Sequence, residues 1–225
     1  MVRFMIILRK PKYVLELSSS AVKKLTLESR EQTRTHTKAL KKPNGDLDLK
    51  KFEEQVLPVI ESYWDTNNPG MCIATALFRS IKNKKEFLEL VKEKAGIDVN
   101  IISGKREAEL IGKAISKEYP GKRVLVIDAG SMSTEISLPS DNYYRSFKKG
   151  MSIKLDSGII RSLKDDKNLL IVIASASLYR LEELGRMKEF EEEVQSYKFL
   201  QEIFDQIGSH PVKGSMATPG LGLLV

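Results

Sequence analysis

The sequence predicts an α/β protein of two lobes, each a mixed sheet with helices, facing one another across a cleft. Two observations carry that expectation. The first is a short unit written twice. Tyr13 to Leu17 reads as an apolar strand that reaches an acid, Glu16, after which Ser18, Ser19, Ser20 and Ala21 make a small-residue turn into Val22 to Leu27, alternating like a second strand. The same order returns at Val124 to Ile127, with the acid Asp128, the turn Gly130 to Ser133 and the alternating stretch Thr134 to Leu138. The two acids stand 112 positions apart, about the length of one small domain. The second observation is size: 225 residues, 41% of them hydrophobic, leave room for two such units. The lobes are placed at 1–120 and 121–225, with Pro120 and Gly121 at the junction.

Between the repeats, Asn44 and Gly45 form a turn, and Leu49, Phe52, Val56, Ile60 and Tyr63 share one face of a helix that Pro58 should kink. A strand is expected near Met71 to Ala74. Asn83, with Glu86 three residues on, reads as a capping box for a helix that turns Phe87, Leu88, Val91 and Ala95 inward and stops at Gly96. Strand Ile97 to Ile102 leads to Ser103 and Gly104, which open a helix of Glu107 to Glu118 with Ala108, Ile111, Ala114 and Ile115 as its buried stripe. The second lobe continues through Gly150, a helix near Ile159 to Leu163, a buried strand Leu169 to Ala174, and helices from Leu178 to Ile207. Leu181, Leu184, Phe190, Val194, Tyr197, Leu200 and Phe204 give those helices an inner face, so packing is preferred over a solvated arm. Gly214 to Val225 is rich in glycine and small residues.

Composition narrows the partners. Lys plus Arg outnumber Asp plus Glu by 37 to 30, a formal charge of +7 that draws polyanions and also serves solubility. The lysine-rich stretches do not alternate with aromatics, so specific nucleic-acid binding is not expected. Cys72 has no second cysteine to pair with, and the first residues lack a signal-peptide pattern, which makes the cytoplasm the expected compartment. The apolar run Phe4 to Leu8 is too short to span a bilayer, where about 20 apolar residues are needed, so no membrane partner is expected.

Three segments carry a resemblance. Ala74-Thr75-Ala76-Leu77-Phe78-Arg79, then Ile101-Ile102-Ser103-Gly104-Lys105-Arg106-Glu107-Ala108-Glu109-Leu110-Ile111, then Val126-Ile127-Asp128-Ala129-Gly130-Ser131-Met132-Ser133-Thr134-Glu135 occur in one order and spacing. They resemble the A-T-x-A-x-R-like turn, the I-S-G-x-x-E-A-x-L-I stretch and the D-x-G-G-G-S-T-E loop of the Ppx/GppA phosphatase family, the exopolyphosphatases and guanosine pentaphosphate phosphatases. Weaker resemblance runs from Tyr13 to the end, and the family's further C-terminal helical domains have no counterpart here. The resemblance implies a two-lobed actin-like (ribonuclease H-like) fold, with polyphosphate or a guanosine polyphosphate as substrate and Mg²⁺ as cofactor. It also implies Glu107 as the general base that activates water. By its position, Glu107 falls in the first turn of a helix, where backbone N–H groups favour anions, and without the motif plain stabilisation of the helix start is the favoured explanation. Asp128 and Glu135, with Glu16 from the first repeat, are the expected metal ligands. Arg79, Ser18, Ser19, Ser20, Gly130, Ser131, Ser133 and Thr134 are the expected phosphate contacts. The oligomeric state is left open, a homodimer included.

Departures from the family pattern bear on activity. Where the family's first loop reads D-x-G-S-N-S, this chain has Glu16-Leu17-Ser18-Ser19-Ser20-Ala21, and Met132 and Ser131 stand where the second loop has glycines. A later glycine-rich loop appears as Ala174-Ser175-Ala176-Ser177-Leu178. Glycine lets backbone approach phosphate closely, so each replacement restricts the loop. Metal-assisted phosphoanhydride hydrolysis is therefore weighed against a binding protein that kept the cleft and lost turnover. A sugar- or ATP-handling kinase of the same fold is a third reading, and it would need glycine-rich loops that Ala174 to Leu178 does not supply.

Overall fold

The computed structural model describes residues 11–68 and 70–225. The apolar run Phe4 to Leu8 lies outside the described residues, and among those described no helix is long and apolar enough to cross a membrane.

The first sheet contains β1 (Tyr13–Leu17), β2 (Ala21–Leu25), β3 (Arg30–Arg34), β4 (Gly70–Ala74) and β5 (Val99–Ile101) in the order β3-β2-β1-β4-β5. The second contains β6 (Arg123–Ala129), β7 (Ser133–Leu138), β8 (Tyr143–Lys148), β9 (Leu169–Ala174) and β10 (Val212–Ser215) in the order β10-β9-β6-β7-β8. Each sheet is built the same way. A central strand pairs antiparallel into a meander on one side, and parallel with a later strand on the other. The sequence-level repeat is thus a repeat of topology.

The outer face of each sheet carries helices. On the first lie α1 (Leu49–Gln55), α2 (Leu57–Tyr63) and α4 (Lys84–Ala95), sealing Leu15, Leu17, Phe52, Ile60, Phe78 and Phe87 from water. The kink foreseen at Pro58 is a full break at Val56, with proline in the first turn of α2, where its missing N–H costs nothing. On the second lie α6 (Ser157–Leu163), α8 (Met187–Ser196) and α9 (Lys198–Ile207), covering Leu125, Ile127 and Ile171. The helix α7 (Ala176–Glu183) follows β9, as the short α3 (Ala76–Ser80) follows β4.

The inner faces meet through two helices. Helix α5 (Gly104–Ser116) packs under β6, β7 and β8, and α10 (Leu221–Leu224) packs on α5 and β1. The cut at 120/121 divides the strands of the two sheets but not their helices, since α5 lies on the second sheet and α10 on the first. A Cβ at Gly222 would strike the Leu110 backbone, so only glycine permits this close crossing.

One expectation is corrected here. Asn83 begins α4 but does not cap it; its amide instead accepts from Leu47 N–H at 2.7 Å and donates to Leu47 O at 2.9 Å. A long-range backbone partner outcompetes the local one. The inward positions Phe87 and Val91 and the stop at Gly96, whose φ is +69°, stand as read.

Candidate active site

Strand alternation aims the site. In β1 the side chains of Leu15 and Leu17 enter the outer core, so Val14 and Glu16 face inward; in β6 Leu125 and Ile127 go outward, so Val124, Val126 and Asp128 face inward. The two acids therefore end at the same cleft. With α5 between the sheets, its first turn delivers Glu107 to the same place. Ser103 caps that turn by accepting from Arg106 N–H at 3.1 Å.

A cavity of about 200 Å³ opens there, lined among others by Glu16, Ser18, Ser19, Ser20, Glu107, Asp128, Gly130, Ser131, Ser133 and Glu135. Arg79, from α3, reaches in from the side. Its Nη1 donates to Glu107 Oε2 and to Ile102 O (3.1 Å), and its Nη2 makes long contacts to Ser133 Oγ at 3.4 Å and Glu135 Oε1 at 3.5 Å. Ser146 Oγ donates to Glu135 Oε1 at 2.7 Å. A Cβ at Gly104 would collide with the Ser146 side chain, so the glycine lets α5 come this close to β8.

Glu107, Asp128 and Glu135 each present a carboxylate oxygen, all within 4.8 Å of one another. Burial, reinforced by the Glu107 charge, pushes Asp128 up to about 7 and Glu135 up to about 8. Glu107 is also raised by burial, against the pull of Arg79. Three buried, crowded carboxylates of this kind could together hold a hard divalent cation such as Mg²⁺.

Three of the expected residues are engaged elsewhere. Glu16 lines the cavity but stands outside this acidic group: Lys23 donates to its Oε1 at 2.5 Å and Gly220 N–H to its Oε2 at 2.9 Å. Burial alone would raise Glu16, but the Lys23 charge and these hydrogen bonds together hold it below the usual carboxylate range. Ser18 spends its hydroxyl within its own turn, donating to Ala21 O at 3.0 Å. Thr134 alternates away from Ser133 and Glu135 and lines a separate cavity. Ser19 and Ser131 do face one another, their hydroxyls 2.5 Å apart across the two turns.

Sequence reasoning missed Lys23, Ser146 and the segment from Ser215 to Pro219, which also lines the cavity. Lys23 had a signal: shifted by the repeat distance, it falls on Glu135.

Comparison with known proteins bears on this geometry. Residues 70–167 match the model of the Ppx/GppA phosphatase family. A guanosine-5'-triphosphate,3'-diphosphate pyrophosphatase of Vibrio atlanticus is 40% identical over 65 residues, 28% of this chain and 13% of that protein. A bifunctional 3-dehydroquinate synthase/phosphatase of Fusobacterium nucleatum is 29% identical over 112 residues, 48% of this chain and 16% of that protein. The match thus spans less than a fifth of either curated relative. Among solved structures, the Aquifex aeolicus Ppx/GppA enzyme superposes with a TM-score of 0.67 at 17% identity, over 94% of this chain and 97% of that one. An exopolyphosphatase from Cytophaga hutchinsonii gives 0.63 at 14% identity, over 93% and 95%. Such likeness speaks to fold, and the fold is the two-lobed actin-like one.

Proposed function

We propose that this chain, whose residues 70–167 match the Ppx/GppA phosphatase family, is a member of that family and a phosphoanhydride hydrolase releasing the terminal phosphate of polyphosphate or guanosine pentaphosphate. The observation that carries the reading is the meeting of Arg79 with Glu107 and Glu135 beside Asp128, at a cleft walled by the two hairpin turns.

The chain end enters between Ser19 and Ser131, whose hydroxyls exchange their mutual bond for phosphate oxygens. Arg79 Nη2, held only by long contacts, turns its fork to two of those oxygens. Glu107 orients a water in line with the anhydride bond and accepts its proton; burial raises its proton affinity, as a general base needs. As the new P–O bond forms, the anhydride bond breaks and its electron pair leaves on the shortened chain. Asp128 and Glu135, with Glu107 alongside, would hold Mg²⁺, which when bound supplies positive charge against the phosphate oxygens.

A second reading, a phosphate-chain or nucleotide-binding protein with little or no turnover, draws support from Met132 on the cavity wall where the family has glycine. Phosphate release from polyphosphate and guanosine pentaphosphate, with Mg²⁺ and with chelator, decides between them. In a hydrolase, Glu107→Gln keeps binding and lowers release roughly 10²- to 10⁴-fold. No Mg²⁺-dependent release from the unaltered protein would leave the binding reading.

A further inference from the structure

The turn from Thr26 to Ser29, between β2 and β3, stands at the end of the first sheet away from the acidic cavity. Beside it lies a groove of about 350 Å³, lined by Leu27, Glu28, Glu118, Tyr179, Met216 and Leu221 among others. It joins the two halves of the molecule, with Leu27 and Glu28 from the first sheet, Tyr179 from α7 and Met216 from the segment after β10. Leu27 is 70% exposed, a large apolar side chain left to water. Glu28 and Glu118 have no ion-pair partner among the described residues; Glu118 accepts only from Ser215 Oγ, 3.0 Å from its nearer oxygen. Arg30 is also in the wall, donating to Met216 O and to Gln32 Oε1, both at 2.8 Å, so two acids stand against one cation.

The sequence holds a segment of matching character that the proposed function leaves unused. Phe4 to Leu8 is an unbroken apolar run between Arg3 and the pair Arg9 and Lys10, and the first ten residues contain no acid. The chain enters β1 at the rim of the groove: Val14 pairs with Leu25, so the next step of the ladder sets Tyr13 opposite Thr26, the first residue of the turn. Only Pro11 and Lys12 lie between that point and Lys10. Ten residues reach at most roughly 35 Å, ample for a groove of this volume. A segment tethered so close meets the groove at an effective concentration on the order of mM, which no free partner matches. Docking would take Leu27 and the apolar run out of water together, and it would bring cations to carboxylates that have none.

We propose that this groove is the docking surface for the chain's own N-terminal segment, with Phe4 to Leu8 against Leu27, Tyr179 and Met216, and the flanking cations toward Glu28 and Glu118. The segment then clasps the two lobes on the side away from Ser19 and Ser131. The proposal goes beyond the hydrolase reading and does not depend on it.

Limited trypsin digestion of the full chain tests it, because cleavage after Arg3 and Arg9 tracks the undocked population. In the unaltered protein those bonds should be cut slowly. Leu27→Asp and Phe4→Asp should each speed the cut roughly 10-fold or more, the worth of one buried apolar side chain. Glu28→Lys should speed it roughly threefold, as expected for a surface charge. Leu184→Asp is the control: that leucine is equally exposed, at 71%, and lies between α7 and α8, so its change should leave the rate alone. All four positions are at the surface or in the segment itself, so the fold should survive, and circular dichroism of each variant checks it. Equal rates in the unaltered protein, Leu27→Asp and Phe4→Asp overturn the proposal. So does protection that fades on tenfold dilution as a dimer dissociates in sedimentation, which would give the groove to a second copy. Protection that appears only with anionic phospholipid vesicles would give the segment to a membrane surface and overturn it as well. None of these measurements reads phosphate release, so the docking and the hydrolase reading fail separately.

Discussion

In the first hairpin Glu16 lies opposite Lys23, and in the second, at the same register, Asp128 lies opposite Glu135. The turns correspond as well, and the two residues that bridge the cleft, Ser19 and Ser131, are themselves equivalent positions of the repeat. One backbone unit thus carries two electrostatic states. In the first lobe an acid faces a lysine, and its carboxyl is held low despite full burial. In the second an acid faces an acid, and burial with the Glu107 charge beside them drives both up, to about 7 and about 8. The lesson is that the fold supplies a place for one positive charge in each half. The first half fills its place with its own side chain; the second has Arg79, which only skirts Glu135, and on the proposed function the rest of that place is for a divalent cation.

Importing the first lobe's solution into the second is the strongest way to break this comparison. Glu135→Lys places an ammonium opposite Asp128 in the register that Lys23 occupies opposite Glu16. Mg²⁺ binding, read by calorimetry, should weaken by more than about 100-fold, beyond what loss of an outer-shell partner costs, and Mg²⁺-dependent phosphate release should vanish with it. Glu135→Gln, which removes the charge without adding one, should fall between. Unchanged Mg²⁺ affinity in Glu135→Lys would show that the cation site is elsewhere.

The converse change attacks the first lobe. Lys23→Met leaves Glu16 buried beside Gly220 N–H with no counter-charge; the side chains are 15% and 2% exposed, so solvent screens the pair little. Removing one partner of a buried pair costs about 3–5 kcal/mol, and partial exposure of Lys23 puts the expected loss near ~3 kcal/mol by urea denaturation. Adding Glu16→Gln to it should restore most of that loss, because the amide needs no cation. A double variant as unstable as the single one would mean that Lys23 acts through packing of its stem.

Much of this was legible in the residues. The strand-acid-turn-strand unit, the Ser103-Gly104 helix start and the position of Glu107 could be read because each has a local pattern: apolar alternation, a cap, an acid in a first turn. Three strands could not. β3 (Arg30–Arg34) and β8 (Tyr143–Lys148) are edge strands with largely polar or exposed residues, so no apolar face announces them. β10 is a four-residue strand containing Gly214, whose hydrogen would be replaced by a clash with the Tyr179 backbone in any other residue. Missing β8 also hid Ser146 and its bond to Glu135. The pairing of Glu16 was hidden for a different reason: residue type suggested a ligand, while only cross-strand register reveals its bond with Lys23.

The smallest effect per unit sharpens the comparison most, because the two hairpins should respond to pH with opposite signs. Asp128 and Glu135 bind protons more tightly in the folded protein than in the unfolded chain. Between the ordinary carboxylate range and about pH 7 to 8 the folded state therefore holds protons that the unfolded chain has released, and stability falls as pH rises through that window, by at most about 1.4 kcal/mol per unit for each group. Glu16 runs the other way. Its folded value lies below its unfolded one, so its contribution is complete above the unfolded value and is lost as pH falls through the folded one. In chelator, urea denaturation from about pH 5 to about pH 8.5 should show declining stability, with the Glu16 loss confined to more acid solution. Mg²⁺ should flatten the decline, since a cation among the carboxylates removes the reason for their raised values. Glu135→Gln should flatten it with no metal present, leaving Asp128 a weaker slope of its own. A flat profile for the unaltered protein in chelator would mean that Arg79 alone neutralises the cluster, and the contrast between the two hairpins would then be one of sequence without an electrostatic consequence.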